Sequence, residues 1–225
     1  ANIGKSPCRT SHEALSVMEQ MPAYFQDHQK TLHDISCDNN KDEYMCTGTL
    51  TVFDFDALKN WYVEEYVPHL TKAPCSNDAL WLDNNHSVFI EFKNGKINSG
   101  ENIKIIFKIY DSLLLLLDDK FDLSWYRSDF RPNISYTREH MDYILVYNRE
   151  KYDEKYPTAQ TRKGLERQKV QESLHRTMIF KAARGWANKR VVLFGLDRFK
   201  GYLFRQVYTM NQSEFEEYLQ EQGVT

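Results

Sequence analysis

The stretch Asn77-Asp78-Ala79-Leu80-Trp81-Leu82-Asp83-Asn84-Asn85-His86-Ser87-Val88-Phe89-Ile90-Glu91-Phe92-Lys93 reads as two strands joined by a tight turn. Asp83-Asn84-Asn85-His86 supplies the Asx residues that tolerate the positive φ of hairpin turns. A turn symmetric about the Asn84-Asn85 bond pairs Leu82 with Ser87, Leu80 with Phe89 and Asp78 with Glu91. Strand alternation then adds Lys93 to the face of Asp78 and Glu91, and turns Val88, Ile90 and Phe92 to the other. That other face is expected to meet a helix over 101–118, with Ile106, Ile109, Leu113 and Leu116 as the facing stripe.

Carboxylates directly opposed on a sheet have Cβ atoms about 4.5–5.5 Å apart and repel each other, so a cation between them removes a destabilising conflict. Two oxygen donors, with no thiolate or imidazole at suitable spacing, suit Mg²⁺ or Mn²⁺ rather than Zn²⁺. Lys93, two residues beyond Glu91, is placed to orient a water and to neutralise a phosphate oxygen. The alternative is plainer: Glu91 and Lys93 mark a face turned to water, and Asp78 is an Asx residue opening a strand.

Outward from the hairpin, Asn98 and Glu101 have the spacing of a capping box at the start of the apolar helix, and 141–147 reads as a buried strand. Residues 119–133 between them look like a mobile loop. Upstream, 44–55 alternates as a strand, and Asp56 opens a helix through Trp61, Glu64, Glu65 and Tyr66 that Pro68 helps to end. Ser11 caps a first helix, and Pro22 allows a second through Tyr24, Phe25, His28, Leu32 and Ile35. Downstream come a charged connector over 149–168, a basic helix near 169–184, strands over 190–195 and 202–209, and a helix capped by Asn211 or Ser213.

Asn77-Asp78, the thirteen-residue step to Glu91, and Glu91-Phe92-Lys93 resemble the signature of the PD-(D/E)xK nuclease superfamily. The resemblance covers roughly residues 56–148, and the following helix and strand match the order of that superfamily's core. It implies an α/β (α+β) fold in which a central mixed sheet is flanked by helices, a restriction-endonuclease-like core. It also implies a metal at the hairpin, with Asp78, Glu91 and Lys93 as the catalytic set, and phosphodiester hydrolysis in DNA or RNA. Asn77 stands where the motif has proline. The superfamily often adds a glutamate from a preceding helix, a role open to Glu64 or Glu65. On this reading the chain is a single domain, with a helical elaboration over 1–43, the nuclease-like core over 44–148 and a basic elaboration over 149–225. A catalytically inactive member of the same fold, binding nucleic acid or a protein partner, is the alternative.

The formal charge of −3 on 225 residues conceals an asymmetry, because 162–205 carries about 12 Lys and Arg against 3 Asp and Glu. Such a segment holds a polyanion while the acidic remainder discourages indiscriminate binding. Arg176, Lys181, Arg184, Lys189 and Arg190 are therefore the candidate nucleic-acid contacts; docking of a protein partner is the alternative use. Cys8, Cys37, Cys46 and Cys75 never fall in a C-x-x-C pair, so neither a zinc knuckle nor a redox motif is supported and reduced thiols in the cytoplasm are expected. The one strongly apolar segment, 103–117, is interrupted by Lys104, Lys108 and Asp111, so no membrane span is expected. Lys104 and Lys108 read as a solvated stripe. The seven histidines show no metal-ligand spacing, and His86 sits at the turn end of the hairpin, away from Asp78.

Overall fold

The computed structural model describes residues 21–38, 41–83, 85–121, 123–155 and 192–224. The chain starts with two short helical turns, α1 (Ala23–Gln26) and α2 (Leu32–Ile35), on either side of strand β1 (Gln29–Thr31). The single helix expected after Pro22 is thus split. His28 to Thr31 instead joins the edge of the sheet, with Gln29 paired to Phe53 and Thr31 to Thr51. A small ladder of β2 (Cys37–Asp38) and β3 (Glu43–Tyr44) precedes β4 (Thr51–Asp54), so the strand expected over 44–55 is two pieces with an irregular link. Asp54 caps α3 (Phe55–Tyr66) by accepting the Ala57 N–H, and the helix begins one residue before Asp56.

The hairpin strands are β5 (Ala79–Leu82) and β6 (Ser87–Lys93), followed by α4 (Ser99–Leu116), α5 (Ile134–His140) and β7 (Asp142–Tyr147). Next come α6 (Arg149–Lys155), a 3₁₀ turn over Leu196–Phe199, β8 (Gln206–Asn211) and α7 (Gln212–Glu221). Six strands form one mixed sheet in the order β1-β4-β5-β6-β7-β8. The pairings from β1 to β6 are antiparallel, and β6-β7-β8 run parallel. Among the described residues no helix is long and apolar enough to cross a membrane. Cys37, Cys46 and Cys75 are free thiols.

The hairpin has the expected register: Leu82 pairs with Ser87, Trp81 with Val88, Leu80 with Phe89 and Ala79 with Ile90. Its turn is tied down by Asp83, whose Oδ1 accepts the N–H groups of Asn85 and His86, each at 2.8 Å, and whose Oδ2 accepts the Trp81 indole N–H at 2.8 Å. The His86 ring bonds Asp83 through Nδ1 at 2.7 Å and Gln222 through Nε2 at 3.0 Å. Burial alone would lower the His86 pKa, but these partners outweigh it and hold the group above 6.5. A histidine raised on folding contributes stability that is complete below its unfolded value and disappears as pH rises through the folded one. His86→Gln is therefore expected to flatten the fall in unfolding midpoint as pH rises above 6.5, at a cost below about 1 kcal/mol because the Asp83 side is partly solvated. Unchanged pH dependence in thermal melts would show that the ring carries no proton there.

The two sheet faces are covered differently from expectation. Val88, Ile90 and the half-buried Phe92 face α7 and the α2 region, packing with Leu32, Met45, Met210, Phe215 and Leu219. Leu80, Phe89, Tyr143 and Leu145 face α4, where Ile105, Ile109, Leu113 and Leu116 cover them. Helix α4 therefore lies over the carboxylate-bearing face. The reason is a second apolar helix at the carboxy end: Phe215 and Leu219 on α7 claim the Val88–Ile90 surface, leaving α4 the opposite layer.

Residues 119–133 are not an open loop, since Phe121, Leu123, Trp125, Tyr126 and Phe130 are all buried. Tyr126 donates to the carbonyls of His86, at 2.7 Å, and Asp83, bracing the hairpin turn from this segment. The strand expected over 190–195 is not found in its described part. Phe194 and Gly195 adopt φ of 61° and 69°, a left-handed pair incompatible with a continuing strand. The last strand covers Gln206–Asn211 rather than 202–209, and Asn211 closes a full capping box with Glu214 at the head of α7.

Candidate active site

Asp78 immediately precedes β5, and its carboxylate turns back onto β6: Oδ2 accepts the Phe92 N–H at 2.6 Å. Glu91 lies on the same face as Phe89 and is 1% exposed beneath α4. One ammonium joins them. Lys108 Nζ sits 3.0 Å from Asp78 Oδ1 and 2.8 Å from the Glu91 carboxylate. Sequence reasoning therefore brings Asp78 and Glu91 together correctly, but misplaces Lys108, whose side chain is 25% exposed against 68% for Lys104. A signal was present: Lys108 falls between Ile105 and Ser112, on the buried stripe of α4 rather than its wet side.

The same helix fastens the segment leading into β5. Asp111 Oδ2 accepts the Cys75 N–H and Ser112 Oγ accepts the Asn77 N–H, each at 2.8 Å. Lys108, Asp111 and Ser112 occupy one turn of α4, so the K-x-x-D-S pattern sets the position of Asp78 relative to Glu91. Asn77 is fully buried and neither of its side-chain amide atoms has a hydrogen-bond partner; the Tyr143 hydroxyl is likewise buried and unpartnered. Tyr143 lies on β7 two residues before Leu145, the partner of Glu91, and burial, then the charges of Glu91 and Asp78, push its phenol well above the ordinary value.

Lys93 approaches from the mouth of the site. Its ammonium is paired with Glu101, which also accepts from Lys104 at 2.7 Å, and these two lysines hold the Glu101 carboxyl down at about 2. Asn98 caps α4 by accepting the Glu101 N–H at 3.0 Å, while the Glu101 side chain is committed to the lysines instead of completing the box. A cleft of about 640 Å³ opens here, lined by Asp54, Asp56, Asp78, Lys93, Asn94 and Glu101 among others.

The acidic side chain that α3 brings to this cleft is Asp56 in its first turn, bonded to Ser76 Oγ and adding to the upward push on Asp78. Glu64 and Glu65 are exposed on the last turn of α3 and do not line the cleft. At about 1.5 Å of rise per residue they lie roughly 12 Å further along the helix, because the helix starts rather than ends at the site. Arg176, Lys181, Arg184, Lys189 and Arg190 lie outside the described residues.

The electrostatics of the pair are unbalanced. Burial raises the Asp78 carboxyl, against the pull of Lys108 and the Phe92 N–H. Burial and the neighbouring Asp78 charge push Glu91 up to about 8 despite Lys108. The Lys108 ammonium is raised in turn, its two carboxylates outweighing burial. With both carboxyls ionised, one positive charge would serve two buried negative ones, and the raised Glu91 value is the response to that shortfall. Among the described residues no group of three His, Cys, Asp or Glu side chains is arranged to hold a metal ion. Asp78 and Glu91 are nevertheless hard oxygen donors brought to one position, the donor type that Mg²⁺ and Mn²⁺ take. No protein-family model, curated protein or solved structure matches the chain.

Proposed function

We propose that the chain is a Mg²⁺-dependent nuclease with a restriction-endonuclease-like core. The observation that carries this reading is the convergence of Asp78 and Glu91 on one buried cation position beside a cleft that also holds Lys93. Asp78 and Glu91 would hold the ion, which when bound polarises a phosphoryl oxygen and makes its water acidic. The Phe92 N–H fixes one Asp78 oxygen, and α4 fixes the segment from which Asp78 projects. Lys93, held at the cleft mouth by Glu101, binds a phosphate oxygen and orients the attacking water.

The decisive experiment incubates purified protein with single- and double-stranded DNA and RNA across Mg²⁺ and Mn²⁺ titrations. Metal-dependent cleavage that stops in EDTA is expected; its absence on every substrate would overturn the reading. A catalytically silent module of the same fold is the second reading, favoured by the Lys108 ammonium already lying between the two carboxylates. That module would bind its partner equally well with and without EDTA.

On the nuclease reading the basic stretch within 162–205 grips the nucleic-acid backbone. Exchanging Arg176, Lys181 and Arg184 together for glutamine is expected to weaken binding and lower the slope of log K against log salt by about 2–3, as fewer counterions are released. An unchanged slope in fluorescence anisotropy would remove this segment from the interface.

A further inference from the structure

The position between Asp78 and Glu91 is held by a side chain of the protein itself. We infer that Lys108 is a resident counter-cation which a divalent ion must displace from between Asp78 and Glu91, so that α4 sets the metal affinity of the site. This rests on the metal-dependent reading above, and deepens it by assigning a role to a residue outside the signature.

The geometry excludes an ordinary surface ion pair. The Lys108 ammonium lies within 3.0 Å of both carboxylates, and Glu91 is 1% exposed. An ion bound by both carboxylates must share or take that position. Charge favours the exchange, since a divalent ion answers both carboxylates in their ionised form, where one ammonium answers one. Lysine suits the role. It is a point charge on a flexible four-carbon stem, able to swing aside, whereas a guanidinium would fork across the two carboxylates and stay.

Lys108 is a positioning residue in this scheme: unpaired, the two carboxylates would repel each other and drift from the geometry that receives the ion. The cost of that preorganisation is competition for the same seat.

Mn²⁺ binding followed by electron paramagnetic resonance, with the thermal shift produced by Mn²⁺ as a parallel readout, tests the inference on the full chain. Asp78→Asn serves as the control for the site. Lys108→Met is expected to bind Mn²⁺ at least about tenfold more tightly than the unaltered chain and to show a larger thermal shift, because a competing unit charge is gone. Lys108→Arg is expected to bind it more weakly. If the unaltered chain binds Mn²⁺ through Asp78 and Lys108→Met binds no more tightly, the inference is overturned and the metal-dependent reading stands. If only Lys108→Met binds, Lys108 holds the seat as inferred and the metal-dependent reading of the natural chain falls. If neither binds, both fall. Should Lys108→Met fail to fold, Lys108→Arg decides: weaker Mn²⁺ binding than the unaltered chain supports the inference, and equal or tighter binding overturns it.

Discussion

If the chain is the proposed nuclease, Glu91→Ala and Lys93→Ala are each expected to lower Mg²⁺-dependent cleavage by roughly 10²–10³-fold or more, the scale on which removal of one preorganised charge-stabilising group is felt. Nucleic-acid affinity should change little, because on that reading phosphate contacts by basic side chains would supply affinity and the carboxylate site would supply chemistry. Cleavage rates and anisotropy titrations on the same preparations separate the two. The Glu91 variant also distinguishes chemistry from folding. Removing Glu91 leaves Lys108 paired with Asp78 alone, one charge against one, so Glu91→Gln is expected to be close to neutral in stability. Lys108→Met, which strands two buried carboxylates, is expected to cost about 3–5 kcal/mol without divalent ion. A Glu91→Gln protein that is inactive because it is unfolded would contradict this ordering, and cleavage at the normal rate would contradict the site.

The second large effect concerns the hairpin's two faces. Phe89 is fully buried under α4, its ring 4.9 Å from Phe55 and 6.4 Å from Phe204, so Phe89→Ala is expected to cost about 3–5 kcal/mol. Phe92 is only half-buried, with the Phe215 ring at 5.8 Å, and Phe92→Ala should cost about 1–2 kcal/mol. Denaturant unfolding of both variants measures the difference. Equal losses would mean that the α7 side of the sheet is packed as tightly as the α4 side.

The contrast between these phenylalanines shows where sequence reasoning stops. Asp83-Asn84-Asn85-His86 and the period-two alternation of 87–93 are local signals, and turn chemistry with side-chain alternation suffices to set the hairpin register. From that register alone Asp78 and Glu91 become neighbours. The helical character of 99–116, the buried strand Asp142–Tyr147 and the Asn211 cap are likewise local, because each depends on periodicity or on a side chain answering a backbone N–H a few residues away.

Which layer covers which face is not a local property. An alternating strand offers two apolar faces, and its own residues do not say which helix takes each. Phe215 and Leu219, more than 120 residues beyond Val88 in the sequence, take the Val88–Ile90 face and leave the carboxylate face to α4. That choice buries Glu91, turns Lys108 from an apparent surface lysine into the cation between two carboxylates, and makes Asp56 rather than Glu64 or Glu65 the acidic neighbour on α3. The aromatic residues of 119–133 show the same thing: a segment without periodicity reads as loop, yet Phe121, Trp125 and Tyr126 find partners across the fold. Sequence determined the hairpin, its register and the pairing of Asp78 with Glu91, because those follow from contacts between near neighbours along the chain. Tertiary structure alone decided the cation between them, because Lys108 reaches that position only once α4 has been packed over the sheet.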